Sequence, residues 1–160
     1  MSVVNERRSL MEDNNLDLEN YLPFYIVTIS NRWTSASSRH YLTNFGIGVG
    51  EWRVLASTYS LGETTSNAIS NFVLMDAAAV SRALGRLEEK ALIEFVPQSN
   101  RVRSKSLKLT EAGEALYMQI RETAYARQNQ LLKGLSESEK TALVKVLRKV
   151  MNNLDEVDQF

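Results

Sequence analysis

Between residues 51 and 109 the apolar period changes from helical to alternating, and that change limits the folds open to the chain. Three short stretches have helical spacing. Residues 51–59 place Trp52, Leu55 and Ala56 inward, and the short helix of about 66–72 has its apolar positions at Ile69, Phe72 and, just beyond it, Val73. Residues 77–90 carry the stripe Val80, Ala83, Leu84 and Leu87, with Ser81, Arg82, Gly85, Arg86 and Glu89 outward. Leu92–Val96 is then short and rich in β-formers, Pro97–Asn100 is turn material, and Leu107–Leu109 alternates again. The spacing predicts a two-stranded hairpin with a long tip. Thr64, Thr65 and Ser66 are N-cap candidates for the middle helix, and Asp76 for the one after it.

Long helices flank this block. Leu22, Tyr25, Ile26, Ile29, Trp33, Ala36 and His40 share one face, and Pro23 places the start of their helix near Leu22. Asn44, Gly46, Gly48 and Gly50 end it after roughly 20 residues, about 30 Å. Thr110 caps a helix that runs to about Leu132, and Gly134 breaks it. Ser136 or Ser138 caps the last helix, whose stripe is Leu143, Val146, Leu147, Val150, Met151, Leu154 and Val157. Residues 1–19 are polar and read as a partly disordered arm.

Three short helices followed by a hairpin is the order of a winged helix-turn-helix, so the expected class is mainly α (α+β). The third short helix is then the recognition helix, entering the major groove N-terminus first. Its start, Asp76-Ala77-Ala78-Ala79, is slim enough to approach base edges, and Ala methyls can pack on thymine methyls. Ser81 and Arg82 lie one turn on, where they reach bases or phosphates. Arg86 lies one turn further and suits a phosphate.

The chain balances 19 Lys and Arg against 19 Asp and Glu, a formal charge of zero that taken as a sum argues against nucleic acid. The charge is segregated, however. Pro97–Thr110 holds four cations (Arg101, Arg103, Lys105, Lys108) and no acid, whereas the first 20 residues hold two cations against five acids. A basic hairpin tip can follow phosphates or enter a minor groove. The same stretch also suits a solvated hairpin edge defended by charge.

Composition removes other classes. There are no cysteines and one histidine, so disulfides, thiolate chemistry, cysteine-ligated zinc and a histidine-rich metal site lack material. No phosphate loop or catalytic dyad stands out, and the chain is read as a non-enzyme without a cofactor. It has no apolar run of about 18 residues and no signal-peptide pattern, so a cytoplasmic protein without a membrane helix is expected.

Three stretches in register carry a family likeness: Glu51-Trp52-Arg53-Val54-Leu55, Asp76 through Val80-Ser81-Arg82 to Leu87-Glu88-Glu89-Lys90, and Leu109-Thr110-Glu111-Ala112-Gly113. In these, and in the order of its flanking helices over residues 20–157, the chain resembles the MarR family of bacterial transcription regulators. It departs from the family pattern at three places. Arg101 stands where the wing often has an acid in Asp-x-Arg. Leu74 stands where the turn often has Gly, and Ala91 where Gly often ends the recognition helix.

The seven-residue stripe of the last helix lacks a partner in a winged-helix core. The economical reading is a homodimer built from 20–45 and 112–160, with 46–111 as the DNA-binding domain; packing within one monomer is the other reading. The resemblance also implies a dimer, hence a pseudo-palindromic operator on double-stranded DNA with half-sites about 10 bp apart. It further implies a ligand-responsive repressor. Such regulators commonly bind small aromatic or phenolic acids, and Arg32, Trp33, Arg39, His40 and Trp52 are the residues here that could hold one. His40 equally suits a satisfied buried residue, and both tryptophans suit the core. Tyr21-Leu22-Pro23-Phe24-Tyr25 is similar to the opening of members that control aromatic-acid catabolism. Within the family, the absence of cysteine argues against a peroxide sensor and the single histidine against a zinc sensor. A winged helix that serves only protein contacts is the alternative function.

Overall fold

A computed structural model of the chain describes residues 16–96 and 105–157. Two compact units divide after Gly113. The first begins with α1 (Leu22–Phe45), which has Pro23 in its first turn. Gly46, at φ 68°, closes it by donating its N–H to Leu42 O at 3.1 Å. Then come α2 (Val49–Leu61), α3 (Ser66–Val73) and α4 (Ala77–Glu89). Thr65 Oγ1 accepts from Ala68 N at 3.3 Å and Asp76 Oδ1 from Ala79 N at 2.8 Å, so two of the expected caps are the ones used.

Strand β1 (Ile93–Val96) pairs antiparallel with β2 (Ser106–Leu109), aligning Ile93 with Leu109 and Val96 with Ser106. Thr64 adds a bridge on the far side of β2: it donates to Leu107 O at 2.9 Å and accepts from Leu107 N at 2.8 Å. Sequence spacing marked Thr64 only as a cap candidate. The core gathers where these elements meet. Val54 and Leu55 of α2, Ile69 of α3, Val80, Ala83, Leu84 and Leu87 of α4, and Ile93 and Leu107 of the hairpin are all buried. The α4 stripe is the one read from the sequence.

The segment after α4 closes by two bonds, Ala91 N to Glu88 O at 2.8 Å and Leu92 N to Leu87 O at 2.9 Å, the pattern of a Schellman cap. Ala91 pays for that closure with φ 55°, and Leu74 closes α3 at φ 51°. These are the two places where the family often has glycine. Thr110 Oγ1 donates to Ala91 O at 2.7 Å and accepts from Gly113 N at 3.1 Å, capping α5 (Glu111–Leu131). Gly113 sits so close to the Leu92 carbonyl that a Cβ there would lie 2.0 Å from its oxygen. The Leu-Thr-Glu-Ala-Gly motif is therefore a joint between the hairpin and the start of α5.

In the second unit, Ser136 caps α6 (Glu137–Asn152) reciprocally with Glu139: Glu139 N donates to Ser136 Oγ at 3.3 Å, and Ser136 N donates to Glu139 Oε2 at 2.7 Å. A short α7 (Leu154–Val157) follows, so the last helix is interrupted at Asn153 rather than continuous through Val157.

The apolar positions outside the α4 stripe are covered unevenly. Phe72 is exposed, because an eight-residue helix touches the core mainly through Ile69. On α1 the buried residues are Ser37 and Tyr41; Ala36 is exposed, and Leu22, Tyr25, Ile26 and Ile29 are each at least 40% exposed. The stripe of α6 and α7 is as open, with Leu143, Val146, Leu147, Met151, Leu154 and Val157 all at least 40% exposed. The 3.6-residue period finds the apolar face, but a face is buried only where another element covers it.

Leu74→Gly and Ala91→Gly each relieve a left-handed backbone and should stabilise the fold by about 0.5–1 kcal/mol net of unfolded-chain entropy. Gly113→Ala should destabilise it by about 2 kcal/mol or more through the clash with Leu92 O. Chemical denaturation of the three variants checks both signs.

Candidate nucleic-acid interface

The outward face of α4 is presented because its opposite stripe is fully used in the core. Ala77, Ala78, Ser81 and Arg82 are all exposed, and Arg82 has no ion pair among the described residues. Ala77 and Ser81 also line a cleft of about 270 Å³ with Ser66, Asn67 and Ser70 of α3. Sequence reading did not single out Ser66 and Asn67 as contact residues; only the packing of α3 against α4 brings them beside Ala77 and Ser81.

Behind this face sits a buried carboxylate that the periodicity gave no reason to notice. Glu51, in the first turn of α2, is 5% exposed. Its Oε1 accepts from Arg86 Nε at 2.5 Å, and its Oε2 accepts from Lys90 Nζ at 2.7 Å and from Gly48 N at 3.4 Å. Lys90 Nζ also donates to Gly46 O at 2.8 Å, so one ammonium ties the end of α4 both to α2 and to the glycine that closes α1. Burial pushes the Glu51 carboxyl up. The hydrogen bonds from Lys90 and Arg86, the Lys90 charge and the Gly48 N–H outweigh burial and hold it below its ordinary value. Arg86, the residue expected to suit a phosphate, donates its Nε to Glu51 while its side chain stays 52% exposed. Arg53 Nη2 donates to Val73 O at 2.6 Å and braces the turn between α3 and α4.

On the hairpin, Lys105 is exposed, whereas Lys108 pairs with Glu94 across the strands at 3.1 Å. Both partners are about half exposed, so the pair adds little stability, but it cancels one of the four cations counted in the sequence. Arg101 and Arg103 lie outside the described residues.

Of the residues considered for an effector, His40 and Trp52 come together through Tyr41. The Tyr41 ring centroid is 5.7 Å from that of His40 and 5.7 Å from that of Trp52, and Phe45 lies 6.2 Å from His40. Tyr41 and Phe45 were not foreseen as members of the cluster. His40 Nδ1 is 3.4 Å from Asn44 Nδ2, and its Nε2 is buried with no hydrogen-bond partner among the described residues. Trp33 is half-buried two turns earlier on α1, and Arg32 and Arg39 are exposed. No helix among the described residues is long and apolar enough to cross a membrane.

A winged helix with an exposed recognition face defines a class of transcription regulators, and comparison with known proteins agrees. The model of the MarR family matches residues 45–103. A MarR/EmrR family transcriptional regulator from Acinetobacter sp. ADP1 is 34% identical and superposes with a TM-score of 0.82, over 88% of this chain and 99% of that one. A MarR family transcriptional regulator from Silicibacter pomeroyi is 26% identical with a TM-score of 0.73, over 85% of this chain and 91% of its own. Among curated proteins, the HTH-type transcriptional repressor IacR of Pseudomonas putida is 25% identical over 134 residues, 83% of this chain and 80% of that protein. The chain belongs to the MarR family. It is a transcriptional regulator and not an enzyme.

Because the Glu51 carboxyl titrates lower when folded than when unfolded, the stability it contributes is complete above its ordinary value of 4.5 and is lost as pH falls through the depressed value. Glu51→Gln should therefore cost about 1–2 kcal/mol at pH 7, and the gap to wild type should close below that ordinary value. Parallel thermal melts across pH 3–7 measure it.

Proposed function

We propose that this chain is a repressor that binds a pseudo-palindromic operator in double-stranded DNA as a homodimer, with 46–111 as the DNA-binding domain. The carrying observation is α4 itself, whose inward stripe is wholly buried while Ala77, Ala78, Ser81 and Arg82 stand exposed on its first turns. These residues would meet base edges. Arg101, Arg103 and Lys105 of the wing would meet phosphates or a minor groove. The name of the curated repressor relative supports the sign of regulation.

Dimerisation is supported by the apolar faces of α1 and of α6–α7, which are too extensive to leave in water. A second copy would cover them, with 20–45 and 112–160 as the dimerisation helices. The aromatic cluster of His40, Tyr41, Phe45 and Trp52 supports an effector site for a small aromatic or phenolic acid. There the unpartnered His40 Nε2 would meet the carboxylate or hydroxyl, and Trp33, Arg32 and Arg39 extend along the same helix.

Selection of duplexes from a random pool should return an inverted repeat with half-sites about 10 bp apart. Affinity should fall steeply with salt. Arg103→Ala should weaken all duplexes and lower the salt slope by about one, whereas Arg82→Ala should also relax sequence preference. Leu147→Glu should give folded monomers in analytical ultracentrifugation. Dimers with no duplex binding even at low salt would instead mark a protein-interaction winged helix. An aromatic acid that releases the selected duplex, and fails to do so in His40→Ala, identifies the effector class.

A further inference from the structure

We propose that Glu51 is a positioning residue for DNA binding: it holds Arg86 by Nε so that the rest of the guanidinium is pre-aimed from the recognition helix at a backbone phosphate. The inference rests on the DNA-binding reading and adds to it a residue that never touches DNA.

The argument starts from the shape of the guanidinium. Arginine carries five N–H donors in one rigid plane, so fixing Nε fixes the direction of the two Nη groups. Here Nε is fixed at 2.5 Å by a carboxylate that is itself almost wholly buried. The Nη groups make no hydrogen bond among the described residues, and half of the side chain is open to solvent. An exposed arginine ordinarily loses rotamer freedom when it clasps a phosphate; one already clamped loses much less.

Glu51 is clamped in turn. Lys90 Nζ and Gly48 N hold its other oxygen, and Lys90 reaches on to Gly46 O. The carboxylate therefore cannot follow Arg86 if the side chain swings, and the bond acts as a stop. The cluster also carries two cations against one acid, leaving a single net positive charge beside the exposed face of α4. A lone surface ion pair would be worth little. A buried carboxylate that serves two half-exposed cations on the recognition helix is a different arrangement, because its removal frees both.

The sign of one substitution separates aim from charge. Glu51→Gln deletes a negative charge from the protein, so phosphate attraction alone would tighten DNA binding. If Glu51 aims Arg86, affinity for the selected operator should fall about tenfold despite the added positive charge, in keeping with loss of one oriented charge-assisted contact. A cycle of Glu51→Gln, Arg86→Gln and the double variant completes the test, measured by fluorescence anisotropy at 20 °C with melting curves alongside. The double variant should bind like Arg86→Gln alone. Arg86→Lys, at a half-exposed position that keeps the fold, should lose several-fold affinity with unchanged melting, because one ammonium cannot serve carboxylate and phosphate with the geometry of a fork.

Three results overturn the proposal: operator affinity unchanged or raised in Glu51→Gln, effects of the two changes that multiply in the double variant, or Arg86→Lys binding like wild type. In each of these the wild type still binds DNA and the regulator reading stands. Absence of salt-dependent duplex binding by the wild type overturns both.

Discussion

The burial of one stripe on α4 is the constraint on which the rest of the first unit depends. Val80, Ala83, Leu84 and Leu87 leave water together only if α2 and α3 cover them from one side and the hairpin closes behind them. Covering them fixes the roll of the helix about its own axis. Since the helix is only 13 residues long, fixing its roll also fixes which side chains face out. The outward face of Ala77, Ala78, Ser81 and Arg82 is in this sense a by-product of the core.

Roll does not fix everything, and the polar contacts at either end of α4 supply the rest. At the N-terminal end, the Asp76 cap and the Arg53 bond to Val73 O hold the turn out of α3. At the C-terminal end, Arg86 and Lys90 meet on Glu51, and Ala91 accepts a left-handed backbone so that Leu92 can turn back onto Leu87. The strain at Ala91 and Leu74 is tolerated because the surrounding hydrogen bonds over-determine both turns. The joint at Thr110 and Gly113 ties the first residues of α5 to the same Ala91 and Leu92 that end the recognition segment.

The zero net charge of the chain says little about its partner, because the charges that matter are local and differently employed. Lys108 is answered by Glu94, and Arg86 and Lys90 share Glu51, whereas Arg82 and Lys105 are left unpaired among the described residues. Counting cations along the hairpin overstated its free charge. It could not distinguish a lysine facing a carboxylate across a ladder from one facing water.

Much of this protein was legible in local sequence. The caps at Thr65, Asp76, Thr110 and Ser136, the stripe of α4, the switch from helical to alternating period and the breaks at Gly46 and Gly134 all depend on residues within a turn or two of each other. Short-range hydrogen bonding and side-chain period decide such features before the chain collapses. What the tertiary structure alone decided depends on residues far apart in sequence. The burial of Glu51 against Arg86, 35 positions on, and the reach of Lys90 to Gly46, 44 back, belong here, as do the Thr64 bridge and the aromatic corner of Tyr41 and Trp52. So does the exposure of Phe72. An amphipathic pattern states which face seeks cover; only the packed chain determines what covers it.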